Sequence, residues 1–183
     1  TDAATGQVLV EDRADQEAYP ASIVKLMVLL LVQEKIDEGL LKLDDSIKVT
    51  AEAAGMGGSQ VYLAEKEVFS VEDLLYALMI QSANDAAVAL AQHIAGTKNA
   101  FVELMNARAK TLGMEHTTFQ SVHGLPPGKG QKPDVSTARD MALLAREVLQ
   151  HPDLLRYTSA KERGFRNDTF IMRTHNKLLH TFE

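Results

Sequence analysis

A serine and a lysine three positions apart, Ser22 and Lys25, form the pair of side chains in this sequence best suited to covalent chemistry. Residues i and i+3 lie on one face of a helix, so the amine would lie beside the hydroxyl. Residues 23–32 are apolar at every position except Lys25. Burial disfavours the charged ammonium and lowers a lysine pKa from about 10.4, which would make Lys25 a base near neutral pH. Ser22 would then be an activated nucleophile.

A structural interpretation of the same pair stays open. Ser22 could cap the helix, and Lys25 could extend its ammonium to a helix end or pair with a carboxylate. About one Ser-x-x-Lys is expected by chance in a chain of this size, so the spacing alone does not decide. The position does add one argument for catalysis. Backbone N–H groups at a helix N-terminus lie where an oxyanion would form.

A second polar cluster, residues 82–85 (Ser-Ala-Asn-Asp), interrupts a long helical pattern. Ser, Asn and Asp side chains compete with helical hydrogen bonds, so a break is expected here. The cluster is either an ordinary corner capped by Asn84 or Asp85, or a corner that directs the Ser82 hydroxyl and the Asn84 amide into a cleft.

Ser22-x-x-Lys25 followed by Ser82-x-Asn84 resembles the first two motifs of the penicillin-recognising serine enzymes. The similarity is closest to the low-molecular-mass penicillin-binding proteins that act as D-alanyl-D-alanine carboxypeptidases. Further segments resemble this family in the same order along the chain: residues 5–9, 20–22, 58–63, 79–86, 119–125 and 136–141. Several ordered matches are more specific than either motif alone.

The resemblance implies an acyl-enzyme on Ser22, with Lys25 as general base. It implies that Ser82 relays a proton to the leaving amine, and that Asn84 bonds the substrate backbone or holds Lys25. The substrates would be peptidoglycan peptides ending in D-Ala-D-Ala, β-lactam antibiotics would bind, and no metal or organic cofactor would be needed. Location in the bacterial periplasm or the extracellular cell envelope is implied, with membrane anchoring through a C-terminal segment in many members.

The sequence departs from the family pattern at the third motif, Lys-Thr-Gly, which belongs shortly beyond residues 176–179. Lys110-Thr111-Leu112 does not replace it, because the third residue is leucine and the segment reads as a helix end before Gly113. We therefore expect residues 1–183 to be one penicillin-binding catalytic domain that is incomplete at both ends. We also expect this stretch to be inactive alone, since the third motif supplies part of the oxyanion site in this family.

Composition indicates a folded globular protein, with 45% hydrophobic and 24% charged residues. A net charge of −6 and only 5% aromatic residues argue against nucleic-acid binding. The absence of cysteine excludes a thiol nucleophile and a disulfide framework. The ten-residue apolar stretch that contains Lys25 is too short to span a bilayer.

The predicted fold is α/β, of the β-lactamase and transpeptidase type, with an antiparallel sheet flanked by helices and a helical lobe at about residues 51–150. Glycine, proline and capping residues set the expected limits of the elements. Strands are predicted at 7–11 and 47–49, helices at 22–38 (ended by Gly39), 70–81, 85–95, 99–112 (capped by Asn99) and 137–150, loops at 51–60 and 121–133, and a hairpin at 164–174.

Three other functions stay open: an endopeptidase of the same superfamily that cuts D-amino-acid crosslinks, a class A β-lactamase, and a non-catalytic cell-wall-binding protein. The β-lactamase is disfavoured because residue 83 is alanine where that family has aspartate. A Ser-His-Asp hydrolase is also disfavoured, because residues 57–61 fail the nucleophile-elbow pattern at their last position. The six histidines show no zinc-binding spacing, and His123 is singled out only because its segment resembles a loop beside the family's cleft.

Overall fold

A computed structural model describes residues 1–181, where helices dominate and the strands are short. The helices are α1 (Lys25–Asp37), α2 (Ala51–Ala54), α3 (Val71–Ile80), α4 (Asn84–Ala95), α5 (Lys98–Thr111), α6 (Ala138–Leu149) and α7 (Leu155–Thr158). The strands are β1 (Ser46–Lys48), β2 (Val68–Ser70), β3 (Glu162–Phe165) and β4 (Phe170–Arg173). Short 3₁₀ helices lie at Ala21–Val24, Pro152–Leu154 and Lys177–His180.

Helix α1 is the centre of the molecule. Every residue from Met27 to Val32 is buried, so the helix is apolar on all sides and surrounded by other elements. Helices α3, α4, α5 and α6 all pack against it. A rigid, fully enclosed helix of this kind fixes the position of the residues at its start.

Capping residues explain where the surrounding helices begin. The hydroxyls of Thr50, Ser70, Thr97 and Thr137 each accept a hydrogen bond from the backbone N–H three residues later. The cap of helix α5 is therefore Thr97, two residues before the predicted cap at Asn99, and that prediction was wrong. Asn and Thr are both good caps, and the backbone of Thr97 is the one that is extended.

Two further predictions were also wrong. Residues 51–54 form helix α2 instead of a loop, because Thr50 caps them. Residues 7–11 form no strand, since they make no ladder with any other part of residues 1–181. Val8, Leu9 and Val10 are exposed there, so the β-compatible sequence has no strand partner.

The strands form two antiparallel pairs. Strand β1 pairs with β2, with Ile47 opposite Phe69, and β3 pairs with β4, with Gly164 opposite Ile171. The second pair is the predicted hairpin, which turns through three residues with positive φ at 166–168. Phe69 and Phe165 stack with ring centroids 4.7 Å apart, and this contact joins the two pairs.

The combination of helices with antiparallel strands confirms the predicted α/β fold class. Five of the seven α-helices described, α2 to α6, lie in the stretch 51–150 that was expected to form a helical lobe, and the division into lobes stays a prediction. In residues 1–181 no helix combines the length and the apolar character that a membrane crossing requires.

Candidate active site

Ser22 and Lys25 lie together at the start of α1. Ser22 is exposed in the 3₁₀ turn Ala21–Val24, and Lys25 is the first residue of the α-helix. The Lys25 ammonium donates to Ser22 Oγ at 3.1 Å and to the His123 backbone carbonyl at 3.0 Å. The predicted helix at 22–38 thus begins with a tighter turn, and this turn presents the hydroxyl to solvent above a buried amine.

Burial makes Lys25 unusual. Its side chain is 1% exposed, and desolvation lowers its pKa from 10.5 to about 8. Its two hydrogen-bond acceptors are a hydroxyl and a backbone carbonyl, so no carboxylate of residues 1–181 bonds to the amine and restores its ordinary pKa. A lysine in this condition is partly neutral near physiological pH, as a general base must be.

The loop after α5 closes against this turn at Gly124. Gly124 has a φ of +73°, and a Cβ atom built there would lie 2.0 Å from the Ala21 carbonyl oxygen. Only glycine fits this approach, since it has neither the steric restriction on φ nor the side chain. Ala21 itself has a positive φ of 48°. The residue before the candidate nucleophile is therefore held in an unfavourable conformation by close packing.

The buried carboxylate of Asp134 holds this loop in place. It accepts hydrogen bonds from the N–H of Gln120 at 2.7 Å, the N–H of Ser121 at 2.9 Å and the Ser121 hydroxyl at 2.7 Å. The Ser121 hydroxyl in turn accepts from the Gly124 N–H at 2.8 Å. These bonds fix the His123 carbonyl that orients Lys25.

The imidazole of His123 does not contact Lys25 through a hydrogen bond in this structure. Its Nδ1 accepts from the Leu125 N–H at 3.1 Å. Burial, followed by the charge of Lys25, lowers the pKa of His123. The backbone of His123 orients the candidate base, while its side chain stabilises the loop as a neutral ring.

The second predicted cluster does form a corner. Helix α3 ends at Ile80 and α4 begins at Asn84, with Ser82 between them at a positive φ of 55°. Neither Asn84 nor Asp85 is the residue before the helix, because Ala83 occupies that position without a side-chain hydrogen bond. A strained serine between two packed helices fits the functional interpretation better than the simple capped corner.

Asn84 connects this corner to residues 57–59. Its Nδ2 donates to the Gly57 carbonyl at 2.8 Å, and its backbone N–H donates to the Ser59 carbonyl at 2.8 Å. The Asn84 side-chain oxygen is buried and has no hydrogen-bond partner among the described residues. Lys25 bonds to Ser22 and to the His123 carbonyl rather than to Asn84, so of the two roles expected for Asn84 the bond to the substrate backbone stays a prediction.

Asp85, which the sequence analysis considered only as a possible helix cap, is fully buried beside this site. Its carboxylate accepts from the N–H of Val61 at 3.2 Å, of Leu63 at 3.0 Å and of Ala86 at 2.9 Å. Three N–H donors compensate the buried charge. The sequence gives one signal for this role, since a single Asp within the apolar start of α4 requires buried partners.

The two walls of the site approach each other at Gly58. A Cβ atom at this position would lie 2.7 Å from Asn84 Nδ2 and 3.0 Å from Leu125 Cδ2. An apolar hollow of about 460 Å³ lies beside Ala21 and is lined by Tyr19, Leu125 and nearby prolines. Its lining includes Ala21, the residue before Ser22, but not Ser22 itself. In residues 1–181 no cluster of three or more acidic or histidine side chains is placed to bind a metal.

Comparison with known proteins places this geometry in a family. The family model for D-alanyl-D-alanine carboxypeptidase matches residues 1–183. D-alanyl-D-alanine carboxypeptidase DacF of Bacillus subtilis is 37% identical over 90% of the chain, and DacC of Escherichia coli is 40% identical over 97%. The chain spans 41% and 45% of the lengths of these two relatives.

Solved structures agree with the sequence matches. Penicillin-binding protein D2 from Listeria monocytogenes, in its ampicillin-bound form, is 33% identical with a TM-score of 0.86. The similarity covers 99% of this chain and 72% of that one. A match along the whole chain in both sequence and fold leaves one conclusion: the chain belongs to the D-alanyl-D-alanine carboxypeptidase family.

Proposed function

We propose that the protein is a serine-type D-alanyl-D-alanine carboxypeptidase that forms an acyl-enzyme on Ser22. The observation that carries the proposal is the buried Lys25 amine at 3.1 Å from Ser22 Oγ, with its pKa lowered to about 8. The names of the relatives supply the substrate class, peptides that end in D-Ala-D-Ala.

The first chemical step is a proton transfer from Ser22 to Lys25. Neutral Lys25 accepts the hydroxyl proton while Ser22 Oγ bonds to the carbonyl carbon of the penultimate D-alanine. Developing charge on the carbonyl oxygen is stabilised by the Ser22 backbone N–H at the start of the helix. The carbonyl of His123 keeps the amine in position during this transfer.

The second step releases D-alanine. The C–N bond breaks, and the leaving amine takes a proton that Ser82 relays from the Lys25 ammonium. Water then attacks the ester, which returns Ser22 to its free form and releases the shortened peptide. The unpartnered oxygen of Asn84 is an acceptor for a substrate backbone N–H, which supports the role proposed for this residue.

We propose that β-lactam antibiotics acylate the same serine, because their ring amide presents a carbonyl in place of the scissile one. The Listeria relative with bound ampicillin supports this. Peptidoglycan peptides occur in the bacterial periplasm and cell envelope, so we place the protein there. Membrane anchoring through a C-terminal segment stays a proposal drawn from the family resemblance.

Labelling the full-length protein with a fluorescent penicillin tests the nucleophile. We expect mass spectrometry to place the adduct on Ser22, and we expect the Ser22→Ala variant to remain unlabelled while keeping its circular dichroism spectrum. An adduct on Ser59 or Ser82 with Ser22 unmodified contradicts the assignment. Release of D-alanine from a pentapeptide, compared with cleavage of a crosslinked dimer, separates the carboxypeptidase from an endopeptidase.

A further inference from the structure

Arg166 lies far from Ser22 in the sequence and bonds to the backbone beside the second motif. It belongs to the turn between β3 and β4 and has a positive φ of 52°. Its guanidinium donates to the Val61 carbonyl at 2.7 Å and also to the Tyr62 carbonyl. It forms two further hydrogen bonds to Glu67, at 3.0 and 2.7 Å. These bonds hold the pKa of Glu67 below its usual value.

Residues 61–63 are bound from two opposite directions. The Arg166 guanidinium donates hydrogen bonds to the carbonyls of Val61 and Tyr62. The Asp85 carboxylate accepts hydrogen bonds from the N–H groups of Val61 and Leu63. Tyr62 between them has a positive φ of 57° and a side chain that is 65% exposed. An aromatic residue in this conformation is unfavourable and persists only where its surroundings enforce it. The two sets of hydrogen bonds do so.

This bound segment leads directly to the candidate active site. Asp85 is the neighbour of Asn84 in the first turn of α4, and Asn84 bonds to the carbonyls of Gly57 and Ser59 at the other end of the same segment. Residues 57–63 therefore have one end on Asn84 and the other end on Asp85 and Arg166. Loss of the guanidinium would release Tyr62, and with it the N–H groups that compensate the Asp85 charge.

We infer that Arg166 is a positioning residue for acyl transfer, which acts through residues 57–63 to hold Asn84 and the Ser82 corner in their reactive arrangement. The inference rests on the proposed function of Ser22. Arg166 contacts no reacting atom in this scheme. Its effect on the rate comes from the placement of Asn84, and small displacements of such groups are costly because reaction requires aligned partners.

The chain offers a matched control in Arg163 on the same hairpin. Arg163 bonds to Asp73 at 3.2 Å and covers the ring of Tyr76 at 3.7 Å, so it joins the hairpin to α3 and makes no hydrogen bond to residues 57–63. In the full-length protein we expect Arg166→Ala and Arg163→Ala to lower the melting temperature similarly. We expect the second-order rate of penicillin acylation to fall about tenfold for Arg166→Ala and less than about twofold for Arg163→Ala.

Two readouts separate positioning from simple destabilisation. Arg166→Ala should lower the plateau of the acylation rate while leaving the pH midpoint set by Lys25 unchanged. In an Asn84→Ala background, Arg166→Ala should lower the rate by less than about twofold further, because the residue through which it acts is gone.

A wild-type acylation rate in Arg166→Ala, or an equal loss in Arg163→Ala, would overturn the inference. If Arg166→Ala does not fold, Arg166→Lys replaces it. We expect its acylation rate to fall about threefold, because a single ammonium replaces the several N–H donors of the guanidinium. In that case the double variant Arg166→Lys, Glu67→Gln is also measured. If it is acylated at the wild-type rate, the inference that Arg166 is a positioning residue is wrong. Absence of any adduct on Ser22 in the wild-type protein would contradict the proposed function instead.

Discussion

At the scale of single residues, the proposed reaction depends on Lys25, because its ammonium must lose a proton before the amine can accept the proton of Ser22. Desolvation lowers the Lys25 pKa to about 8, so we expect the acylation rate to rise with pH through a midpoint near pH 8 and to level off at higher pH. Stopped-flow acylation by a chromogenic cephalosporin between pH 6 and 10 measures this. Lys25→Ala should lose about two to four powers of ten in rate and show no such rise.

The same residue should cost the protein stability. The pKa of Lys25 is about 8 in the fold and 10.5 in the unfolded chain, a difference that corresponds to about 3 kcal/mol. Since the unfolded state binds more protons between these values, the free energy of unfolding rises from pH 8 to pH 10.5. Urea denaturation of wild type and Lys25→Met tests this, with the variant more stable at pH 7 and the difference reduced at pH 10. Equal stability at both pH values would show that burial of the amine is not costly.

The sequence indicated that Lys25 is buried and that the chain turns at Ser82, but not how these segments are held, and that they form one active site stays a prediction. An isolated lysine within ten apolar residues indicates burial, and Ser-Ala-Asn-Asp indicates a helix break, because both signals depend on side-chain type. The acceptors of Lys25 and Asn84 are the backbone carbonyls of His123 and Gly57. Every residue has a carbonyl, so composition and spacing carry no information about which one is used.

At the scale of elements, the contact between the 121–125 loop and the start of α1 is the most sensitive to mutation. Gly124→Ala introduces a Cβ atom 2.0 Å from the Ala21 oxygen in a left-handed conformation, so the loop must move away. We expect a loss of about 2 kcal/mol or more in the free energy of unfolding and at least a tenfold slower acylation. Gly113→Ala is the control, because it has a similar φ of 74° with no atom nearby. Similar acylation rates in the two variants would contradict the role of this contact.

The longer helices and the hairpin agreed with the structure, whereas the short helix α2, the cap of α5 and the strand predicted at 7–11 did not. Helices α3, α4 and α6 and the hairpin at 162–173 lie within one or two residues of their predicted limits, since caps and apolar periodicity define them. The strand predicted at 7–11 needs a partner strand, which its own sequence cannot specify. The cap at Thr97 was missed because Asn99 is an equally good candidate by type.

At the scale of the whole molecule, one arginine joins three helices. Arg108 on α5 donates to Glu34 on α1 at 2.7 Å and also to Glu147 on α6, and all three side chains are half-buried. Arg108→Met should lower the free energy of unfolding by about 1 to 3 kcal/mol, because two partly buried carboxylates lose their partner. Urea denaturation at pH 7 measures the loss, and Lys110→Met, an exposed change on the same helix, should have little effect. We expect the acylation rate of folded Arg108→Met to match wild type, and a marked decrease would mean that the interhelical bridge also shapes the site.

The hydrogen bond from Lys25 to the His123 carbonyl has a consequence for variation among related sequences. Because the acceptor belongs to the main chain, replacement of the histidine side chain leaves the acceptor in place. Position 123 can therefore change without removing the acceptor of the candidate base, although the hydrogen bond from the Leu125 N–H to the ring is lost, provided that its neighbour keeps the glycine that brings the loop close. Histidine at position 123 is therefore a poor marker of activity, and glycine at position 124 is the better one.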